Sequence, residues 1–111
     1  RGTLGSPAVV PEGYAGGVID DAHLERRVIR LEGEIGDELA NDVIVRLLFL
    51  RFEEPEGPIT LELDSPGGAV VAGFAIADVV RALGGVGTRC IGRAHGTAAL
   101  ILACGAPGQR E

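Results

Sequence analysis

Two short segments of the sequence combine glycine with residues that could take part in chemistry. The first, Asp64–Gly68, is Asp-Ser-Pro-Gly-Gly, and the second, Gly92–Ala98, is Gly-Arg-Ala-His-Gly-Thr-Ala. Each lies between a strand-like and a helix-like stretch. Glycine leaves the backbone without side-chain cover, and unpaired N–H groups at the start of a helix can bind a carbonyl oxygen or an oxyanion. We interpret both segments as amide-presenting turns, and a tight connection with glycine for packing alone is the alternative for the first.

The second turn offers few side chains for catalysis. Gly96 occupies the position where a strand–helix elbow would place a nucleophile, and Thr97 carries the nearest hydroxyl. Taken alone, Thr97 is typical of a residue that satisfies a backbone group at a helix start. His95 could act as a base, although a single loop histidine is typically solvated or capping. No cluster of His, Cys, Asp and Glu has metal-ligand spacing, so we predict neither a metal nor a cofactor.

Hydrophobic periodicity predicts an α/β domain in which strands and helices alternate. Ile59–Leu63 alternates as a half-buried strand should, and Asp37 is a suitable N-cap for the helix that follows the first strand. Right-handed crossovers would lay the strands side by side and parallel, which puts both turns at the carboxyl edge of the sheet. The predicted strands are Val28–Leu31, Ile59–Leu63 and Val86–Gly92, and the predicted helices are residues 37–52, Ala69–Leu83 and Thr97–Cys104.

Composition limits the classes of function. The chain has 111 residues, 46% of them apolar, and a net charge of −6, which argues against nucleic acid and anionic membranes as partners. No apolar run approaches the roughly 20 residues of a membrane span. Cys90 and Cys104 lack metal or disulfide spacing, so we expect buried, reduced thiols and a cytoplasmic protein. Residues 1–22 hold five glycines and two prolines, which predicts a flexible N-terminal arm.

From about Leu24 to Glu111 the sequence resembles the proteolytic subunit of the ATP-dependent Clp protease, the ClpP family. The resemblance implies a fold of repeated ββα units shared with the crotonase superfamily, here truncated after the third helix. Residues 23–111 would form the head domain, without the handle segment through which two rings meet. It further implies seven-membered homo- or hetero-oligomeric rings of ClpP-type subunits that cleave polypeptides and are fed by a Clp ATPase. The matching positions include Arg27–Ile29, Leu47–Leu50, Ser65–Gly68, Ala72–Gly73, Ile76, Asp78, Cys90–Gly92, Ala94, Leu102–Ala103, Gly105–Ala106 and Gly108.

The resemblance also assigns roles within the two turns. The family is a serine endopeptidase with a Ser-His-Asp triad, and its oxyanion-hole amides map to Gly68 and Thr97. Gly96 stands where the family has its nucleophilic serine, and residues 97–111 contain neither His nor Asp. We therefore expect a catalytically inactive chain that acts as a structural or regulatory subunit. The remaining residues of the substrate-cleft turn would be Ser65, Pro66, Gly67 and His95.

Two other functions remain open for this chain, and its sequence departs from the family at one further place. An active peptidase would use Thr97 or another, unexpected residue as nucleophile, with the rest of its triad beyond Glu111. A crotonase-like acyl-binding module would use the same two amides to polarise a thioester carbonyl. The family's ATPase-docking pocket has aromatic residues where this chain has Thr60, Glu62 and Ala82, so we expect direct docking of a Clp ATPase to be impaired.

Overall fold

The computed structural model describes residues 26–111, and within them strands and helices alternate as the sequence predicts. The predicted N-terminal arm lies outside the described residues. Each helix returns the chain to the amino end of the next strand, which is the connection that parallel strands require. In chain order the elements are β1 (Val28–Glu32), α1 (Asp37–Glu53), β2 (Ile59–Ser65), α2 (Val70–Leu83), β3 (Val86–Ala94) and α3 (Thr97–Ala103).

The three strands form one parallel sheet in the order β1-β2-β3, which confirms the predicted α/β class and strand directions. Strand β2 is the central strand, and the predicted alternation holds there with one exception: Ile59, Leu61 and Leu63 are buried and Thr60 is partly exposed, but Glu62 is buried as well. The apolar residues of β2 face the core, and Glu62, on the opposite face, is only 8% exposed. A central strand is covered by neighbours on both edges, so side chains on either face lose solvent even where no helix lies over them.

The core lies between one face of the sheet and the helices. Successive strand residues point to opposite faces, so Ile29, Leu31, Leu61 and Leu63 share one face, and all four are at most 1% exposed. Together with these strand residues, the main helix residues of the core cluster are Val43, Leu47, Leu50, Ile76, Val80 and Ile101. Cys90 and Cys104 are free thiols and form no disulfide. Both are half-buried, so the prediction that they are buried is not met.

The opposite face of the sheet carries a row of alternating charges. Arg30, Glu62 and Arg89 are direct register partners on the three strands. Arg30 Nη2 lies 3.2 Å from Glu62 Oε1, and Arg89 Nη1 lies 3.3 Å from Glu62 Oε2. Arg89 also reaches Glu111, with 3.1 Å between Nε and Oε1. Both carboxylate oxygens of Glu62 therefore have a cationic partner.

The start of α1 differs from the prediction by one residue. Gly36, in extended conformation, is the N-cap, and Asp37 is the first helical residue and makes no side-chain capping bond. Asp37 and Glu38 still lie in the first helical turn, where a negative charge interacts favourably with the helix dipole.

Strand β3 is longer than predicted because Gly92 forms a bulge rather than ending the strand. Pairing continues from Leu63–Cys90 to Ser65–Ala94, so β3 has two extra residues opposite β2. Gly92 has a φ of 103°, and a Cβ there would lie 2.7 Å from Asp64 Oδ1. Glycine inside a strand often marks such a bulge. The bulge takes up the extra residues, so β2 and β3 end level, with Ser65 paired to Ala94.

Arg27 fastens the loop between α1 and β2 to the start of β1. Its Nη2 donates to the carbonyls of Leu50 (2.9 Å) and Glu54 (3.0 Å), and its Nε donates to the carbonyl of Pro58 at 2.6 Å. A Cβ on Gly57 would lie 2.8 Å from Nε, so glycine there leaves room for the guanidinium.

Replacing this guanidinium should destabilise the fold. For Arg27→Ala we expect the free energy of unfolding to fall by about 2–4 kcal/mol, since carbonyls at the end of α1 lose charged donors. Urea denaturation followed by circular dichroism measures the change. Arg26→Ala, at an exposed neighbouring position, should change it by no more than about 0.5 kcal/mol. Equal effects of the two substitutions would contradict this role for Arg27.

Candidate functional site

The two turns meet at the carboxyl edge of the sheet, as the sequence predicts. The His95 N–H donates to the carbonyl of Ser65 at 3.1 Å, which extends the pairing of β2 and β3 beyond Ala94. Gly67 has a φ of 93°, and a Cβ there would lie 2.6 Å from the His95 carbonyl oxygen. The approach of the two turns therefore depends on glycine at position 67.

A third segment, which sequence reasoning missed, holds the first turn in place. After β1 the chain passes beside this turn, where the Ile35 N–H donates to the Gly67 carbonyl at 2.9 Å and the Ala69 N–H donates to the Ile35 carbonyl at 2.9 Å. Gly68 lies so close that a Cβ would overlap the Ile35 carbonyl oxygen. These contacts join residues more than thirty positions apart, and no pattern in the sequence around Ile35 predicts them.

Within residues 66–69 and 95–98, three backbone N–H groups have no hydrogen bond among residues 26–111. They belong to Gly68, which is exposed just before α2, to Gly96 in the second turn, and to Thr97, the first residue of α3. Gly68 and Thr97 carry the two amides to which the family resemblance assigns the role of oxyanion donors. N–H groups at such positions can bind a developing negative charge on a carbonyl oxygen.

Gly96 stands at the tip of the second turn in a conformation that side chains rarely adopt. Its φ is 58° and its ψ is −130°, and the residue is exposed. A Cβ built on it would have its nearest neighbours at 3.8 Å (Pro66 carbonyl oxygen) and 3.9 Å (Gly67 Cα), which is ordinary contact. A sharp, strained strand-to-helix turn is how hydrolases expose a nucleophile. The elbow has space for a side chain but carries none.

Thr97 directs its hydroxyl away from the turn. A Cβ on Gly73 would lie 2.5 Å from Thr97 Cβ and 2.7 Å from Thr97 Oγ1, so the threonine side chain packs against the backbone of α2. Its Oγ1 is buried and has no hydrogen-bond partner in the described part of the chain. The sequence signal for this contact was the single glycine inside the helical pattern of α2, which often indicates close packing.

His95 contributes to the site through its backbone. Its N–H is bound to Ser65, and its carbonyl accepts the Ala98 N–H at 3.0 Å. The imidazole is exposed and makes no hydrogen bond or ion pair with residues 26–111. A catalytic base is normally oriented by a further group, and the described residues provide none for this imidazole.

The cleft residues predicted from the sequence divide by exposure. Ser65 and Gly67 are buried and shape the first turn from inside, whereas Pro66, Gly68 and His95 reach the surface. Ser65 is the last residue of β2, so it belongs to the strand and not to the turn.

Away from the turns, one carboxyl group has a raised pKa. Burial of Asp42 on α1 raises the pKa of its carboxyl group, and the nearby Arg46 opposes the shift, with 3.2 Å between Asp42 Oδ1 and Arg46 Nε. A carboxyl group with a raised folded-state pKa favours the folded state at low pH, and this contribution is lost as pH rises through that pKa.

Two negative findings apply to the described residues. Residues 26–111 contain no group of three or more His, Cys, Asp or Glu side chains that could hold a metal ion. None of the helices there is both long and apolar enough to cross a bilayer.

The fold and the site define a class of protein: a parallel α/β domain with two amide-presenting turns at the carboxyl edge of its strands. A family model described as Clp protease matches residues 16–111, a range that includes all three strands and both turns. The chain therefore belongs to the Clp protease family and carries the domain of a ClpP-like protease subunit.

Proposed function

We propose that this chain is a catalytically silent ClpP-like subunit that keeps the amide donors of the oxyanion site and lacks the attacking group. The observation that carries the proposal is Gly96: it occupies the elbow between β3 and α3 with a φ of 58° and has no side chain. The unpaired amides of Gly68 and Thr97 belong to the two turns. Such a site can hold a peptide carbonyl but cannot form a bond to it.

The position of Thr97 supports the proposed absence of catalytic activity. A substitute nucleophile would have to reach the carbonyl held by the amides and would need a base beside it. The Thr97 hydroxyl is instead buried against Gly73 and has no base within hydrogen-bond distance among residues 26–111.

The subunit would act within a ring of ClpP-type subunits in the cytoplasm, where active neighbours cleave polypeptides.

The row of charges formed by Arg30, Glu62 and Arg89 bears on whether this subunit can bind a Clp ATPase as its neighbours would. An apolar segment docking over Glu62 would have to desolvate Arg30 and Arg89 as well, and removing ion pairs from water is costly. Recruitment of a Clp ATPase would then fall to neighbouring subunits, and this chain would contribute shape and substrate-facing amides.

Covalent labelling tests the absence of a nucleophile. The chain, alone and mixed with an active Clp protease proteolytic subunit, is treated with a fluorophosphonate probe, and the adducts are located by peptide mass spectrometry. We expect an adduct on the active subunit and none on this chain. An adduct at Thr97 would contradict the proposal and would establish the active-peptidase alternative.

Native mass spectrometry of the same mixture tests the proposed assembly. Rings that contain both subunits are expected. If the active subunit forms rings without this chain at every mixing ratio, the proposed structural role is wrong even if the labelling result holds.

A further inference from the structure

Ser65 is a buried polar residue whose groups reach both turns of the site. Its exposed fraction is 0%, its carbonyl accepts the His95 N–H, and its Oγ accepts the Gly67 N–H at 3.0 Å. We infer that Ser65 is a positioning residue, which rests on the proposed function: its hydroxyl holds the first turn so that the Gly68 N–H points out of the protein toward a bound carbonyl or carboxylate.

The pairing of N–H groups along the first turn shows why one amide is left free. Pro66 has no N–H, the Gly67 N–H is bound to Ser65 Oγ, and the Ala69 N–H is bound to the Ile35 carbonyl. Between Pro66 and Ala69, only the Gly68 N–H has no partner among the described residues. The Ser65 hydroxyl thus removes the nearest competing donor from the turn.

Peptide geometry then sets the direction of the free amide. In a trans peptide the C=O and the following N–H lie in one plane and point in opposite directions. The Gly67 carbonyl accepts the Ile35 N–H at 2.9 Å, so the Gly68 N–H in the same plane points away from Ile35. The Ser65–Gly67 bond fixes the preceding peptide plane and the Ile35–Gly67 bond fixes the following one, and together they hold Gly67 at a φ of 93°.

If the role of Ser65 were purely structural, its hydroxyl would serve only to form a hydrogen bond inside the protein. The chain offers a matched control for that role in Thr88, which is 1% exposed and donates from Oγ1 to the Leu102 carbonyl at 2.7 Å. Thr88→Val removes one buried hydroxyl bond away from the turns and keeps the side-chain shape. Ser65→Ala removes one buried hydroxyl bond within them.

Amide NMR of the ¹⁵N-labelled chain separates these roles. The probe is a short apolar peptide with a blocked N-terminus and a free C-terminal carboxylate. It is added until the change in the Gly68 amide chemical shift saturates. In the wild type and in Thr88→Val we expect Gly68 to shift with the same Kd. In Ser65→Ala we expect that Kd to rise about fivefold or more, the equivalent of one lost hydrogen bond, and the Gly67 amide to exchange with solvent faster.

The outcomes are distinct. A Gly68 shift with the same Kd in Ser65→Ala and Thr88→Val overturns the positioning role and leaves the proposed amide site standing. No Gly68 shift in the wild type overturns the proposed site and the inference together. If Ser65→Ala does not fold, temperature coefficients of the wild-type amides decide: a bonded Gly67 beside an unbonded Gly68 supports the inference, and equal coefficients overturn it.

Discussion

Gly96→Ser should make the second turn react with a fluorophosphonate, provided that the chain also carries the histidine and aspartate of the family's triad. A hydroxyl at this elbow is a weak nucleophile until a base removes its proton. Residues 97–111 contain neither His nor Asp. The substitution is therefore best made in a chimera in which the residues after Glu111 come from an active Clp protease subunit.

The structure has room for this side chain. A Cβ at position 96 meets no heavy atom closer than 3.8 Å, so the cost lies in the backbone, where a φ of 58° strains any residue other than glycine. Such strain costs of order 1–3 kcal/mol. We expect the chimera with Gly96→Ser to stay folded with a lower melting temperature. Its labelling rate should exceed that of the unsubstituted chimera by at least ~10³-fold, since the nucleophile carries most of a triad's effect.

Gly96→Ala in the same chimera is the matched control. It adds the same Cβ and strain without the hydroxyl, so its melting temperature should fall equally while no adduct forms at position 96. Labelling of the unsubstituted chimera at the rate of Gly96→Ser would refute catalytic silence. A folded Gly96→Ser chimera that does not label would show that this turn does not present its side chain as a nucleophile elbow.

The sequence was sufficient to predict the order of the elements and the meeting of the two turns. Apolar periodicity and glycine- or proline-rich breaks located the strands and helices, and the handedness of parallel connections then required both turns to lie at one edge of the sheet. The family model for Clp protease over residues 16–111 agrees with the resemblance seen in those turns.

The predictions that failed concern effects of tertiary structure. Gly92 looked like a strand end because its role in a bulge depends on the Asp64 side chain of the neighbouring strand. The burial of Glu62 depends on β2 having a strand on each side, which no pattern within Ile59–Ser65 reports. Asp37 has good capping chemistry, yet Gly36 takes the N-cap position because the chain enters α1 from the segment that supports the first turn.

Dependence on tertiary contacts also explains why the sequence located the site but did not predict its geometry. Glycine at positions 67, 68 and 96 indicated exposed backbone, and the structure shows that these glycines serve different purposes. Gly67 and Gly68 have no space for a side chain, whereas Gly96 has space for a Cβ; Gly67 and Gly96 both have a positive φ. Only the contacts with Ile35 and with the His95 backbone separate these cases.

Gly67→Ala should destabilise the protein more than any conformational penalty alone can explain. The new Cβ would lie 2.6 Å from the His95 carbonyl oxygen, a backbone atom that also accepts the Ala98 N–H. Relieving the overlap requires the turns after β2 and β3 to separate. We expect the free energy of unfolding to fall by about 3 kcal/mol or more, in the range of overpacking added to backbone strain. Chemical denaturation measures the loss.

Gly33→Ala isolates the backbone contribution because Gly33 has nearly the same φ, 94° against 93° at Gly67, and a Cβ there meets nothing within 4 Å. We expect this control to cost about 1–2 kcal/mol from the left-handed conformation alone. The difference between the two substitutions then measures how tightly the two turns are held together. Equal losses would mean that the turns separate at no cost, and a site assembled from Gly68 on one turn and Thr97 on the other would not be preorganised to bind a carbonyl oxygen.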